Sequence, residues 1–249
     1  MNKILLKQIT NREVIMSAVE KTYSFIYRNI TKAVNPLKKK VIKTECIVHK
    51  FINNQAIIIL KNDGQTEAYN LLSNYIDDIN EGAVWADQDF KSSSHFYNPN
   101  TKKGLYGSSN AKKECISYYK RALNEYFKGD IKTSMFYLGA SCHLIQDITI
   151  PQHANVELLH NHRSYENWVI KMYKRYNDFK VTKSGIYLES IVDYIDLNSK
   201  NALVTYDMYS DIKNENTRFY KITSNVLTMA QRTTAGLMYN FCTTLETSC

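Results

Sequence analysis

The stretch HLIQDITIPQH, residues 143–153, holds imidazoles and a carboxylate at spacings that can do chemistry. Asp147 follows His143 by four residues, which on a helix places both on one face. Glu166 follows His162 by the same interval in HRSYENW. Two such pairs on separate helices can grip a metal from the wall of a bundle. Neutral imidazole and carboxylate are suitable zinc donors at neutral pH. His95 in SSSHFY and Asp87 in VWADQD can complete one site from an intervening loop. His153 is near enough in sequence to join His162 and Glu166. A second reading stays open, because a His–x3–Asp pair is also an ordinary helix-face ion pair, a cap, or a carboxylate that orients its histidine. His49 and His160 are the remaining histidines, and His160 is assigned no role.

These groups need rigid elements to hold them. Only 8 glycines and 3 prolines in 249 residues leave few breakers, so long helices are expected rather than a turn-rich β fold. The length allows one sizeable core. Apolar periodicity predicts helices at 12–33, at 44–61 with Thr44 as cap, and at 66–81 with Gly82 as the terminating glycine. Further helices are expected at 109–128 before Gly129, and at 130–148, 164–176, 187–212 and 217–246. Pro151 is expected to end the helix that carries His143 and Asp147. Residues 83–107 read as a loop, and 176–186 as a loop or weak hairpin. The expected architecture is one all-α bundle with a long functional loop in its middle.

The formal charge of +8 suits an anionic partner: a phosphorylated substrate, nucleic acid or an acidic membrane surface. Most lysines are scattered and read as solvated surface, with PLKKK at 36–40 a short basic run. The 19 tyrosines read as core packing. Cys46, Cys115, Cys142, Cys242 and Cys249 are odd in number and form no CxxC pair, so no dense disulfide framework is expected. Cys142 reads as a small core residue. The N-terminal ILL is too short for a signal-peptide core, and no stretch approaches the roughly twenty apolar residues of a membrane helix. No export or membrane segment is therefore expected.

HKFINNQAIIIL, GAVWAD, SSHFYNPN, MFYLGASCHLIQDITIPQHANV and HRSYENWV resemble, in order, motifs of the bacterial zinc-dependent phospholipases C. AQRTTAGLMYNF is similar to that family's last core helix. The resemblance covers about residues 42–245. It implies a catalytic domain at 42–249, a multi-helix all-α bundle, after an N-terminal extension at 1–41 that is expected to be helical. It further implies up to three Zn2+ ions at the bottom of a cleft. One would be held by Asp87, His95, His143 and Asp147. A second would be held by His153, His162 and Glu166, with Pro151 as the break that turns His153 toward it. A third would take His49, with Asp147 bridging back to the first. The implied reaction is attack of an activated water on a phospholipid phosphodiester, with Asp87 the catalytic candidate that orients or deprotonates it. Diacylglycerol and a phosphorylated headgroup would leave. The implied partners are the phospholipid and, transiently, the membrane surface, rather than nucleic acid.

The chain departs from the family's pattern in two places. The third zinc of the family also takes the amino group and carbonyl of an N-terminal tryptophan, but PLKKKVIKTE ahead of His49 contains none. Choline-selective members have an aromatic residue after the aspartate matched by Asp87, where this chain has Gln88. Ser92 also stands where one such enzyme has an aromatic. An aromatic cage for a quaternary ammonium is not evident, and Trp85 and Phe90 read as packing residues. An additional C-terminal lipid-binding domain is not expected. The family is typically exported, while no signal is visible here.

Two other classes fit some of these features. A related zinc phosphodiesterase acting on nucleic acid suits the basic charge. Such nucleases, however, end their second site with His–x3–Asp, against His162–x3–Glu166 here. A degenerate member could hold metal or acidic lipid without turnover.

Overall fold

The computed structural model describes residues 45–88, 94–105, 109–156 and 162–247. Nine α-helices and no strand occur among them. They are α1 (Ile47–Asn62), α2 (Thr66–Ser73), α3 (Ile76–Asp87), α4 (Ala111–Phe127) and α5 (Ile131–Asp147), followed by α6 (Pro151–Asn155), α7 (His162–Met172), α8 (Ile191–Tyr209) and α9 (Glu215–Thr247). The expected helix at 12–33 and the extension at 1–41 lie outside the described residues, as do Phe90 and Ser92. No described helix is long and apolar enough to cross a membrane.

α5 is the innermost element. The Asp130 side chain caps it by accepting the Thr133 N–H at 3.1 Å. From Met135 onward the helix is hydrophobic on nearly every face, and all residues from Tyr137 to Asp147 are buried, the pattern of a helix enclosed by its neighbours. α3 and α4 flank it. α3 comes closest, because each helix offers the other a glycine. A Cβ on Gly82 would overlap the Phe136 carbonyl oxygen, and one on Gly139 would overlap that of Ile79. The two backbones are in contact there.

That contact overturns the expected stop at Gly82. The predicted helix at 66–81 is two helices, broken at Asn74–Tyr75, and the second runs through Gly82 to Asp87. Gly82 has the low helix propensity of any glycine, but tertiary packing outweighs it. Gly129, by contrast, ends α4 with φ at +85° in open space, as a helix-terminating glycine should.

Pro151 does not end the helix that carries His143 and Asp147. α5 ends at Asp147 itself, Ile148–Ile150 make the bend, and Pro151 opens α6, where its missing N–H costs nothing. α1 starts at Ile47 rather than 44, and Cys46 before it has left-handed backbone angles of 45° and 41°. Thr44 lies outside the described residues.

The 33-residue α9 lies along α1 and α8. Its Leu237 and Phe241 join Leu60, Ile79, Leu138 and Ile145 in the main core. Cys142 is fully buried in the same core. Cys46, Cys115, Cys142 and Cys242 are all free thiols. Residues 176–186 form a short 3-10 turn (Asn177–Phe179) and irregular chain, not a hairpin. Gln231 of α9 holds this segment, accepting the Val181 N–H and donating to the Phe179 carbonyl. The Asp63 carboxylate holds its end, taking the Ser184 and Gly185 N–H groups and the Tyr187 hydroxyl.

Candidate metal centre

Asp147, the last residue of α5, points its carboxylate into the interior, where four imidazoles meet it. His143, one helical turn earlier, places Nε2 at 3.2 Å from Oδ2. His95, from the segment after α3, places Nδ1 at 2.7 Å from the same oxygen. His49, in the first turn of α1, faces Oδ1 with Nε2 at 3.4 Å. His153, just past the bend in α6, brings Nδ1 to 3.6 Å from Oδ2. Its ring stacks on Phe96, with centroids 4.7 Å apart.

Asp87, ending α3, adds a second carboxylate near His143. The ligand atoms of Asp87, His95 and His143 lie within 4.8 Å of one another, as do those of His49, His143 and Asp147. His143 therefore belongs to both clusters. The α3–α5 glycine contact lies on the same two helices: Gly82 is five residues before Asp87, and Gly139 four before His143.

The outer hydrogen bonds fix which ring nitrogens carry lone pairs. Gln146 donates its amide N–H groups to Asn53 Oδ1 and Thr234 Oγ1, at 2.8 and 3.1 Å. Its carbonyl oxygen is therefore left to accept the His49 Nδ1–H at 2.8 Å, and Nε2 of His49 is the lone-pair nitrogen. His95 donates Nε2–H to the Ala86 carbonyl at 3.1 Å, so its Nδ1 faces inward with a lone pair.

The lone-pair nitrogens of His49 and His95 thus face carboxylate oxygens of Asp147, and His143 Nε2 lies 3.3 Å from His95 Nδ1. Two zinc donors at bond lengths of about 2.1 Å in tetrahedral geometry lie about 3.4 Å from each other. Three contacts here, at 3.2, 3.3 and 3.4 Å, match that spacing. His143 is fully buried, and its Nδ1 has no hydrogen-bond partner. The donor set and its spacing fit zinc.

The electrostatics favour cation binding. Burial alone would raise the Asp147 pKa, but His143 and His153 outweigh it and hold the carboxyl well below its ordinary range. Burial, reinforced by His143, lowers His49 and keeps it neutral. A group with a depressed folded pKa adds stability that is complete above its unfolded value and lost as pH falls. For His49 that loss starts near pH 6.5. The metal-free protein is expected to lose thermal stability as pH drops from about 7 to 5, with a shallower slope in His49→Gln. A wild-type melting temperature independent of pH across that window would contradict this assignment.

A cavity of about 350 Å³ adjoins these groups. Cys46, His49, Asp87, Gln146 and Glu166 form its polar side, and Ile52, Ile150, Val169, Val226 and Leu227 its apolar side. Glu166 is thus brought to the same cavity as Asp87 and His49. His162 opens α7, but its side chain lies outside what the structure describes. Trp85 packs against Tyr118, Phe136 and Tyr137, with centroids 5.4–5.9 Å away. Two participants carry no sequence signal. Gln146 orients His49, and Cys46 donates its thiol to Asp87 Oδ2 at 3.2 Å.

Comparison with known proteins gives this geometry a context. A phospholipase C of Bacillus cereus is 30% identical over 186 residues, which span 68% of this chain and 65% of that protein. A phospholipase C of Clostridium novyi is 26% identical over 229 residues, 78% of this chain and 58% of the relative. The chain thus spans less than two thirds of either. The solved alpha toxin from Clostridium absonum shares the fold, with a TM-score of 0.70 at 21% identity over 80% of this chain and 64% of the toxin. The sequence model of the zinc-dependent phospholipases C matches residues 48–230, from the residue before His49 through Glu166 and into α9. With that match spanning most of the bundle, and His95, His143 and His153 buried around Asp147, the chain belongs to the zinc-dependent phospholipase C family.

Proposed function

We propose that this chain is a zinc-dependent phospholipase C that cleaves glycerophospholipids into diacylglycerol and a phosphorylated headgroup. The observation that carries the reading is the convergence of His49, His95, His143 and His153 on the buried Asp147 carboxylate beside a partly apolar cavity. In this reading residues 42–249 are the catalytic domain and 1–41 an extension. Asp87, His95, His143 and Asp147 hold one zinc, and His153, His162 and Glu166 a second. His49 and Asp147 hold a third.

When bound, zinc neutralises a phosphodiester's charge and lowers the pKa of water. The residues do the rest. Asp87 borders the cavity at the end of α3 and orients the attacking water or takes its proton. Asp147 is the carboxylate around which the four imidazoles are gathered. Ile150, Val169, Val226 and Leu227 receive the glycerol and the start of the acyl chains and keep bulk water out. The new P–O bond forms from water, the P–O bond to glycerol breaks, and the glycerol oxygen leaves with a proton as diacylglycerol.

The apolar wall favours a lipid over a nucleic-acid strand, which would need a groove tracking its phosphates. Ile170 lines the cavity yet is 45% exposed, and an apolar side chain there suits transient contact with a membrane surface.

The test is metal content per chain by mass spectrometry together with hydrolysis of mixed phospholipid vesicles. Two or three zinc ions with diacylglycerol release are expected, with activity lost on chelation and recovered on zinc addition. Stoichiometric zinc without turnover would favour a degenerate binding member, and release of nucleotides from single-stranded nucleic acid would favour the nuclease.

A further inference from the structure

Glu45 and Cys46 are cavity residues of ligand type that this scheme leaves unused, and of the two Cys46 is buried. Its sulfur lies 3.2 Å from Asp87 Oδ2, across 41 residues of sequence. It is 8% exposed and borders the same cavity as His49 and Glu166. The backbone that holds it is left-handed, with φ at +45°. A non-glycine residue in that region is strained and persists where the surroundings demand it. Three residues later in the same helical turn comes His49, whose lone-pair nitrogen faces Asp147.

The geometry points to Cys46 as a sulfur donor to the metal centre, sharing an ion with Asp87. This deepens the zinc reading and rests on it. Zinc bonds of about 2.3 Å to sulfur and 2.1 Å to oxygen, at a tetrahedral angle, put the two donors about 3.6 Å apart. The thiol and carboxylate already stand within a few tenths of an ångström of that spacing. The proton now between them occupies the place a cation would take. On binding, the thiol proton leaves for solvent, the sulfur–hydrogen bond is exchanged for a sulfur–metal bond, and no oxidant or reductant is needed. Cys46 does not act alone, since Asp87 belongs to a three-residue cluster with His95 and His143, and His143 carries the buried ring nitrogen without a partner. Thiolate is a soft ligand, so its presence would bias the centre toward zinc and away from magnesium or calcium.

The experiment replaces zinc with cobalt(II) in the full chain and reads the near-ultraviolet spectrum, where a thiolate–cobalt bond gives a charge-transfer band. The expected result is a band of one-thiolate intensity that disappears in Cys46→Ser while the fold, by circular dichroism, is retained. A second measurement stands if that variant does not fold. Iodoacetamide labelling of wild-type Cys46, mapped by peptide mass spectrometry, is expected to slow roughly tenfold or more when zinc is added, because coordination removes the free nucleophile. Bound cobalt without the band, a band that survives Cys46→Ser, or labelling indifferent to zinc would overturn the sulfur ligand and leave the zinc reading standing. Failure to bind cobalt or zinc at all would overturn both.

Discussion

Asp147→Asn is expected to remove at least one zinc ion per chain and to lower turnover by more than about 100-fold, since even outer-shell partners of metal ligands typically cost 10–100-fold. The amide keeps the shape of the carboxylate but loses its charge. It also turns one acceptor into an N–H donor, aimed at imidazole nitrogens that lie 2.7–3.6 Å away. The position is buried, so water cannot replace the lost charge, and removing one partner of a buried charged network costs about 3–5 kcal/mol. His153→Ala removes one imidazole and leaves Asp147 in contact with the other three. Its loss of zinc and activity is expected to be clearly smaller. Metal content and vesicle hydrolysis measured side by side decide the point. Equal, small losses in both variants would sink the role of Asp147 as the shared ligand.

Gly139→Ala carries the second large effect, although it touches no ligand. Inside a helix, alanine is ordinarily better than glycine by about 1 kcal/mol. Here the new methyl would overlap the Ile79 carbonyl oxygen of α3, and a backbone atom cannot rotate away as a side chain can. Overpacking of this kind costs about 1–3 kcal/mol, so the sign reverses and the melting temperature is expected to fall by roughly 2–4 °C per kcal/mol. The displacement also moves Asp87 away from His95 and His143, so zinc affinity falls in the same variant. Gly82→Ala, facing the Phe136 carbonyl oxygen, is expected to act alike. A melting temperature for Gly139→Ala equal to or above wild type would show that α3 and α5 do not approach as closely as their two glycines allow.

The chain shows which of its features are legible locally. His143 and Asp147 share a helix face because four residues make about one turn, and that spacing is written in HLIQD. The long helices follow from apolar periodicity and few breakers, and Gly129 ends α4 through its positive φ, with no neighbour near its Cβ position. Gly82 follows the same local rule and is misread by it. A glycine that ends one helix and a glycine that admits a neighbour look identical until the neighbour is present. Pro151 is similar, since it is read as ending a helix when it opens the next, and the choice depends on where Asp147 must stop to face the imidazoles.

The sequence by itself determined the all-α class, the main helical segments, and the set of imidazole and carboxylate residues suited to zinc. Only the tertiary structure decided which of these meet. His49 reaches Gln146 across 97 positions, and Cys46 reaches Asp87 across 41. Neither pairing leaves a periodicity or a spacing to read. Helix propensity and ligand type are properties of residues and their near neighbours, whereas the tautomer of His49, the approach of α3 to α5 and the thiol beside Asp87 arise only when packing brings distant segments to within a bond's length of one another.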